Sequence, residues 1–382
     1  MHITLISKQP LEKLPPLLSV IDLLKEHGVR LKIIATCEPN VANRLQSELV
    51  RVRSLNIPFN NSRAVLCKIV KWAWFRAILK AEFNQIDEKR VFWIGSGCTA
   101  MALGRCVYRH RFILQLNELY DNDRFYRRGL KPFCQKAAAV IMPEATRASI
   151  VQSWYNLPTR PIVLPNKPAY FIKPGDDLER TKKLIGEMAF GRIVGKKVVI
   201  YQGMYDPGNR NIDNVARAIR KLGAPWGFLV MGQFPESERQ RLSGLNPEIV
   251  FVPFLTPPSH LEVTRLAYIG TAFYEPVDLN HLFCAPNKIW EYSAFDIPML
   301  CSCSPALETV MTKFNAGICV EPSSVAQIQE ALMRLDKSYS DYSRSSRQLY
   351  ASVDMMNIME TILTRVEAHS MTNNGKNDFE TS

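Results

Sequence analysis

The 382 residues are 47 % hydrophobic and 22 % charged, which excludes a disordered or fibrous chain and is too long for one ordinary core, so two α/β domains are expected. No run of eighteen apolar residues is present to span a bilayer, and MHITLISKQP reads as a first strand because it lacks the parts of a signal peptide. The net charge of +12 is uneven, +13 on residues 1–165 against −1 on the rest, so the first half is expected to meet an anionic partner that is not a nucleic acid.

In chain order, short apolar runs lie at 2–7, 29–35, 91–94, 111–116, 137–142 and 161–165, and amphipathic helical patterns separate them. LPPLLSVIDLLKEHG is one such pattern, closed by Gly28 at a C-cap position. Residues 63–83 are another, with Lys68, Lys71, Arg76 and Lys80 interleaved with Trp72, Trp74 and Phe75. Tryptophans beside cations suit a helix lying in an anionic headgroup layer, so Lys68, Lys71, Trp72, Trp74 and Arg76 are expected membrane contacts. The competing reading makes Trp72, Phe75 and Leu79 a core stripe. Gly95-Ser96-Gly97-Cys98-Thr99-Ala100 fits G-x-G-x-x-A after a strand, with Glu118 about twenty residues on, which is the dinucleotide fingerprint of an NAD-dependent oxidoreductase. It follows about the fourth strand rather than the first, so acceptor approach or simple packing is the preferred reading.

After the strand RFILQL come Asn117, Glu118, Tyr120 and Asp121. Carboxylates at the C-terminal end of a parallel strand face the ligand side of an open α/β sheet. Glu118 and Asp121 are therefore the catalytic candidates, Glu118 as general base or acceptor-orienting group. Asp121-Asn122-Asp123 also has D-x-D metal spacing, but no metal is expected there. The alternative has these residues capping a helix that starts near Arg124. Leu164-Pro165-Asn166-Lys167-Pro168 marks the joint and hinge between domains 1–165 and 166–345. A second strand–helix series follows, with apolar runs at 196–203, 227–232, 248–254, 268–273, 297–302 and 316–320. Two such series imply two doubly wound parallel sheets. Residues 346–369 are expected as a C-terminal helix that can return to the first domain, and 370–382 as a disordered tail. Nine cysteines, without disulfide or zinc spacing, read as reduced core thiols of a cytoplasmic protein.

Two segments of the second half carry anion-binding chemistry. In QGMYDPGNRNIDNVARAIRKL a strand turns through Gly203 and Gly208 into a helix beginning near Asn209 or Ile212, and Arg210 adds a fixed positive charge suited to a diphosphate. In Ala285-Pro286-Asn287-Lys288-Ile289-Trp290-Glu291-Tyr292, Lys288 and Glu291 share one helical face. A lysine at a helix start opposes the dipole unless an anion joins it, and Glu291 can accept two ribose hydroxyls. The plain alternative is a surface ion pair between the two.

The run FVPFLTPPSHLEVTRLAYIGTAFYEPVDLNHLFCAPNKIWEYSAFDIPML resembles the donor-site region of GT-B glycosyltransferases. More narrowly, it resembles family 4-like bacterial enzymes that build cell-surface polysaccharides. The likeness extends back to VVIYQG…NRNIDNVARAI and VIMPEATRASIVQSWYNLP…IVLPN. It implies two facing Rossmann-like domains with a nucleotide-sugar donor held mostly by the second. It also implies a glycan or lipid-linked acceptor, no cofactor, no metal requirement, and a place on the inner face of the cell membrane. Carried over by position, Gly203, Arg210, Asn287 and Lys288 meet the diphosphate, Glu291 the ribose, and the backbone at Phe254 and Leu255 the base. Departures exist. Phe283 stands where the family has a glutamate eight residues before the ribose-binding one, so Glu275, Asp278, Asn280 and His281 are left to contact the donor sugar. The usual Gly-Arg is Gly203-Met204, and no histidine in the first domain stands at a catalytic position. A non-catalytic sugar- or nucleotide-binding relative and a sugar-nucleotide epimerase are the other readings of the same scaffold.

Overall fold

The computed structural model describes residues 1–56, 65–85, 87, 89–169, 178–203, 206, 208 and 210–377. The chain divides into two compact units, Met1–Tyr170 with Asp354–Ser382, and Phe171–Val353. The first holds a seven-stranded sheet of β1 (His2–Ser7), β2 (Arg30–Ala35), β3 (Val50–Ser54), β4 (Arg90–Ile94), β5 (Arg111–Gln115), β6 (Ala139–Met142) and β7 (Ile162–Val163), in the order β3-β2-β1-β4-β5-β6-β7. The second holds β8 (Lys197–Gln202), β9 (Trp226–Met231), β10 (Val250–Val252), β11 (Ile269–Ala272), β12 (Met299–Ser302) and β13 (Gly317–Val320), in the order β10-β9-β8-β11-β12-β13. All pairings are parallel. Both faces of these sheets are covered, so the strands are nearly uniform apolar runs, and β4, β8, β9 and β12 are buried almost throughout.

Twelve of the strands lie on the apolar runs. The sequence reading missed β3, VRVRS, because it is a sheet edge with Arg51 and Arg53 exposed, so no continuous apolar signal exists there. The chain passes back to the first unit at Asp354, and residues 346–353 stay with the second, in the helix Tyr339–Ala351 and the turn after it. The last helix, Met355–Asn377, packs on the helix Pro15–Glu26 and on β5 and β6. It runs into the segment expected to be disordered, and residues 378–382 lie outside the described residues.

In each sheet the strand order reverses direction beside the first strand of that unit, at β1/β4 and at β8/β11. Ligands of open α/β sheets bind outside the strand ends at such a point. In the second unit the reversal is held by one close contact. Tyr292, fully buried in the helix Asn287–Ala294, lies flat on Gly270 of β11 and donates its hydroxyl to the Thr271 carbonyl at 3.2 Å. A β-carbon at Gly270 would stand 2.4 Å from the Tyr292 ring. Gly270→Ala is therefore expected to lower stability by about 1–3 kcal/mol through overpacking. The check is a urea midpoint that falls with unchanged slope. An unchanged midpoint would show that the ring can move aside.

Candidate functional site

The candidate site lies at the C-terminal strand edges of the second unit. Gln202 ends β8 and Gly203 follows with φ +131°, donating its N–H to the Met231 carbonyl at 2.9 Å. A β-carbon on Gly203 would come 3.2 Å from Cε of Lys288, and one on Gly232 would stand 2.0 Å from the Gly203 carbonyl oxygen. These two positions need glycine because backbone and a lysine side chain meet there without room for a methyl group.

Lys288 is the second residue of the helix Asn287–Ala294, entered through Pro286 in extended conformation. It is 6 % exposed, and its ammonium has no hydrogen-bond partner among the described residues. Its Nζ lies 4.3 Å from the Tyr201 ring centre and 5.6 Å from that of Tyr274. Burial pulls its pKa from 10.5 down to about 7, and the charge of Arg210 adds to the fall. The Arg210 guanidinium lies 5.3 Å from the Tyr274 ring, so two cations converge on that aromatic. Tyr274 is itself fixed, since Ser302 Oγ accepts its N–H at 2.9 Å and donates to its carbonyl at 3.0 Å. The charge of Glu291 works against the fall in the Lys288 pKa, but Glu291 makes no hydrogen bond to the ammonium, and an anion placed between Lys288 and Arg210 would offset the cost of burying it.

Glu291, one turn beyond Lys288, is also 6 % exposed. Its Oε2 accepts from the Gln202 amide at 2.5 Å, and its Oε1 lies 3.2 Å from His260 Nε2. The Gln202 oxygen accepts from the Thr264 hydroxyl at 2.7 Å. Among the described residues no ion pair joins Lys288 to Glu291, and both are buried, which removes the surface ion pair as an explanation. Asn287 and Leu255 are half-buried and Phe254 is exposed just after β10. In the following loop Asp278 caps the helix Leu279–Leu282, accepting the His281 N–H at 2.7 Å, and its Oδ1 lies 2.6 Å from His281 Nδ1. Glu275, Asn280 and Phe283 are half-buried in the same loop. The sequence reading missed Tyr201, Gln202, His260, Thr264 and Tyr274. Only Gln202, a polar residue ending an apolar strand, left a local signal.

One expectation for this unit holds and one changes. The helix after β8 begins at Asp213 with Ile212 as its N-cap, so of the two expected starts the one near Ile212 holds and the one near Asn209 does not. Asp213 already occupies its first turn and is held by Arg241 through contacts of 2.5 and 2.9 Å, so a carboxylate of the chain complements that helix start. That leaves the Arg210 side chain, rather than the helix start, as the candidate anion group of this segment.

In the first unit, Glu118 is exposed and Asp121 half-buried on the loop after β5. The helix Arg124–Lys136 starts as expected, but its cap is Asp123, accepting the Tyr126 N–H at 3.0 Å, and not one of Asn117, Glu118, Tyr120 or Asp121. Arg147, buried, anchors the loop by donating to the Asn117 carbonyl at 2.7 Å. Tyr120 takes a left-handed φ of 59°, stacks on Tyr126 at 4.9 Å, and covers Gly97, where a β-carbon would stand 2.8 Å from its ring. A β-carbon on Gly95 would stand 2.7 Å from Leu17. Those glycines pack against side chains and do not open the backbone to a pyrophosphate, so the dinucleotide fingerprint is set aside.

The helix Val65–Asn84 buries Phe75 and Leu79 and half-buries Trp72 and Trp74, with Trp72 stacked on Phe125 at 6.2 Å. Two of the expected membrane cations make contacts within the first unit. Lys71 is 7 % exposed. Arg76 donates to the carbonyls of Ala102 at 2.6 Å and Met101 at 3.2 Å, neutralising the end of the helix Gly97–Leu103. The Lys68 side chain lies outside the described residues. Exposed groups here include Ile69, Val70, Arg76, Lys80 and Phe125.

No protein-family model and no curated protein sequence matches the chain. Solved structures do. Anabaena HepE, crystallised with UDP-glucose, superposes with a TM-score of 0.72 at 12 % identity, over 96 % of this chain and 100 % of that one. Sucrose-phosphate synthase from Thermosynechococcus elongatus gives 0.67 at 15 % identity, over 100 % of both. A Listeria monocytogenes protein named for UDP-N-acetylglucosamine 2-epimerase activity gives 0.67 at 10 % identity, over 96 % of both. With its two Rossmann-like parallel sheets, the chain has the two-domain GT-B α/β fold.

Proposed function

We propose that this chain is a glycosyltransferase that moves a sugar from a nucleotide-sugar donor to a glycan acceptor. The observation that carries the reading is the buried, unpaired ammonium of Lys288, set beside Arg210 and one turn before a buried carboxylate at a sheet switch point. The diphosphate binds Lys288 and Arg210, with Gly203 and Asn287 beside it. The ribose meets Glu291, and the base meets the backbone at Phe254 and Leu255. Glu275, Asp278, Asn280 and His281 contact the donor sugar. Glu118 receives the proton of the acceptor hydroxyl or orients it, with Asp121 assisting. HepE, which shares the fold, crystallises with UDP-glucose, and this supports the donor class. The acceptor is lipid-linked and belongs to cell-surface polysaccharide synthesis at the inner face of the membrane.

A melting panel of UDP-, GDP-, ADP-, TDP- and CMP-sugars identifies the donor, and transfer by the stabilised pair tests the activity. Glu291→Ala should cut transfer at least a hundredfold, because losing two charge-assisted hydrogen bonds costs about 3 kcal/mol. Wild-type rates in that variant would remove the ribose assignment. Interconversion of the donor sugar without transfer would instead make the protein an epimerase.

The lysine makes a second prediction. With its pKa near 7, free Lys288 is largely neutral at about pH 8, and a bound diphosphate restores the charged form. Binding should therefore take up nearly one proton at about pH 8 and almost none below about pH 6, where the free lysine already carries it. Calorimetry in buffers of different ionisation enthalpy reads this directly. Lys288→Met should abolish the uptake and weaken binding. Buffer-independent heats in the wild type would show that Lys288 does not meet the phosphate.

Membrane docking rests on the basic first half and on the outward face of Ile69, Val70, Lys80 and Phe125, with Arg124 and Arg128 exposed beside them. No helix among the described residues is long and apolar enough to cross a membrane. The protein should float with anionic liposomes at low salt, bind less as salt rises, and lose binding in Ile69→Glu/Phe125→Glu. A wild type that stays unbound at low salt would replace the lipid-linked acceptor with a soluble one.

A further inference from the structure

The hydrogen-bond chain through Thr264, Gln202, Glu291 and His260 has its directions fixed by chemistry. A carboxylate only accepts, so Gln202 turns its amide nitrogen to Glu291 Oε2 and its oxygen to the Thr264 hydroxyl. By the same rule His260 carries a proton on Nε2, facing Oε1 at 3.2 Å. His260 is well placed to hold that line. Its side chain is 15 % exposed, and its backbone carbonyl lies 3.0 Å from the same Thr264 hydroxyl. The short helix it precedes, Leu261–Thr264, packs against the helix that carries Glu291.

The carboxylate is thus gripped from two directions, by the end of β8 and by the turn that follows β10. Each oxygen spends one lone-pair direction on the protein and keeps another. A carboxylate held this way offers two parallel acceptors, the complement of two neighbouring hydroxyls. A carboxylate free to rotate would lose that match each time it turned. We propose that His260 is a positioning residue for ribose recognition, holding Glu291 so that both of its oxygens meet the cis-diol of a nucleoside diphosphate. The inference rests on the reading of Glu291 as the ribose-binding group and adds the side chain that makes it selective.

The test measures binding of UDP, GDP and ADP beside the 2′-deoxy form of each, by calorimetry at one pH. The proteins are the wild type, Glu291→Gln, His260→Leu, His260→Asn and His260→Gln, with melts of the free proteins to confirm folding. The wild type should prefer the ribo form of the nucleotide it binds by about tenfold or more. Glu291→Gln should lose that preference. His260→Leu and His260→Asn, which cannot place an N–H on Oε1, should reduce it to about threefold or less. His260→Gln, whose amide can reach, should restore most of it. A merely structural histidine would weaken ribo and deoxy forms alike and leave their ratio unchanged. If Glu291→Gln loses the preference while both His260→Leu and His260→Asn keep it in full, the positioning role is overturned and the donor site stands. If one of these two fails to fold, the other decides. If Glu291→Gln keeps the preference, or the wild type shows none, the ribose assignment falls and this inference falls with it.

Discussion

The second unit is organised around a buried lysine amine to which no group of the described fold hydrogen-bonds. Lys288 is sealed under Gly203, above the Tyr201 ring and beside Tyr274, with Arg210 as its nearest charged neighbour of the same sign. Folding pays for that arrangement through the apolar sheet beneath it, where Tyr201, Tyr292 and Phe273 are fully buried. A protein that needed only stability would place a methionine there, as buried charges without partners are poor stabilisers. Retention of the ammonium, with glycines shaped around it, is what an anion-binding role requires.

The neighbouring carboxylate obeys the opposite rule. Glu291 is as deeply buried as Lys288 yet fully provided for, by an amide on one oxygen and an imidazole on the other. One turn of helix therefore presents an unsatisfied cation and a restrained anion acceptor side by side. Phosphate chemistry suits the first and hydroxyl chemistry suits the second, and a nucleotide offers both in that order.

The periodicity of the sequence carried the architecture well, since parallel strands covered on both faces must be apolar throughout, and twelve such runs became strands. What it could not carry was whatever depends on three dimensions. Edge strand β3 alternates arginine with valine and reads as polar. Arg76 and Lys71 look like surface cations in sequence, yet one serves helix carbonyls and the other is buried. Lys288 and Glu291 were legible because they lie three apart on one helix. His260, Gln202 and Tyr274 were not, because each comes from a different strand end and only the sheet brings them together. The glycines at 95 and 97 show a short motif that matches a fingerprint on paper while Leu17 and Tyr120 lie on it in the fold, as the packing reading has it.

The contact between Gly203 and Gly232 has a consequence for how this protein can change. The two strand ends come together backbone to backbone, and Gly203 lies against the lysine. A side chain added at Gly203 would press on Lys288, and one added at Gly232 would press on the Gly203 backbone. These two residues and the lysine therefore form a single heritable unit in which a change at one position requires changes at the others. The loop from Glu275 to Phe283 has no such lock, with Pro276 and Val277 exposed and most of its side chains only half-buried. Sequence change, in nature or in a directed library, should accumulate in that loop and leave the glycine pair untouched.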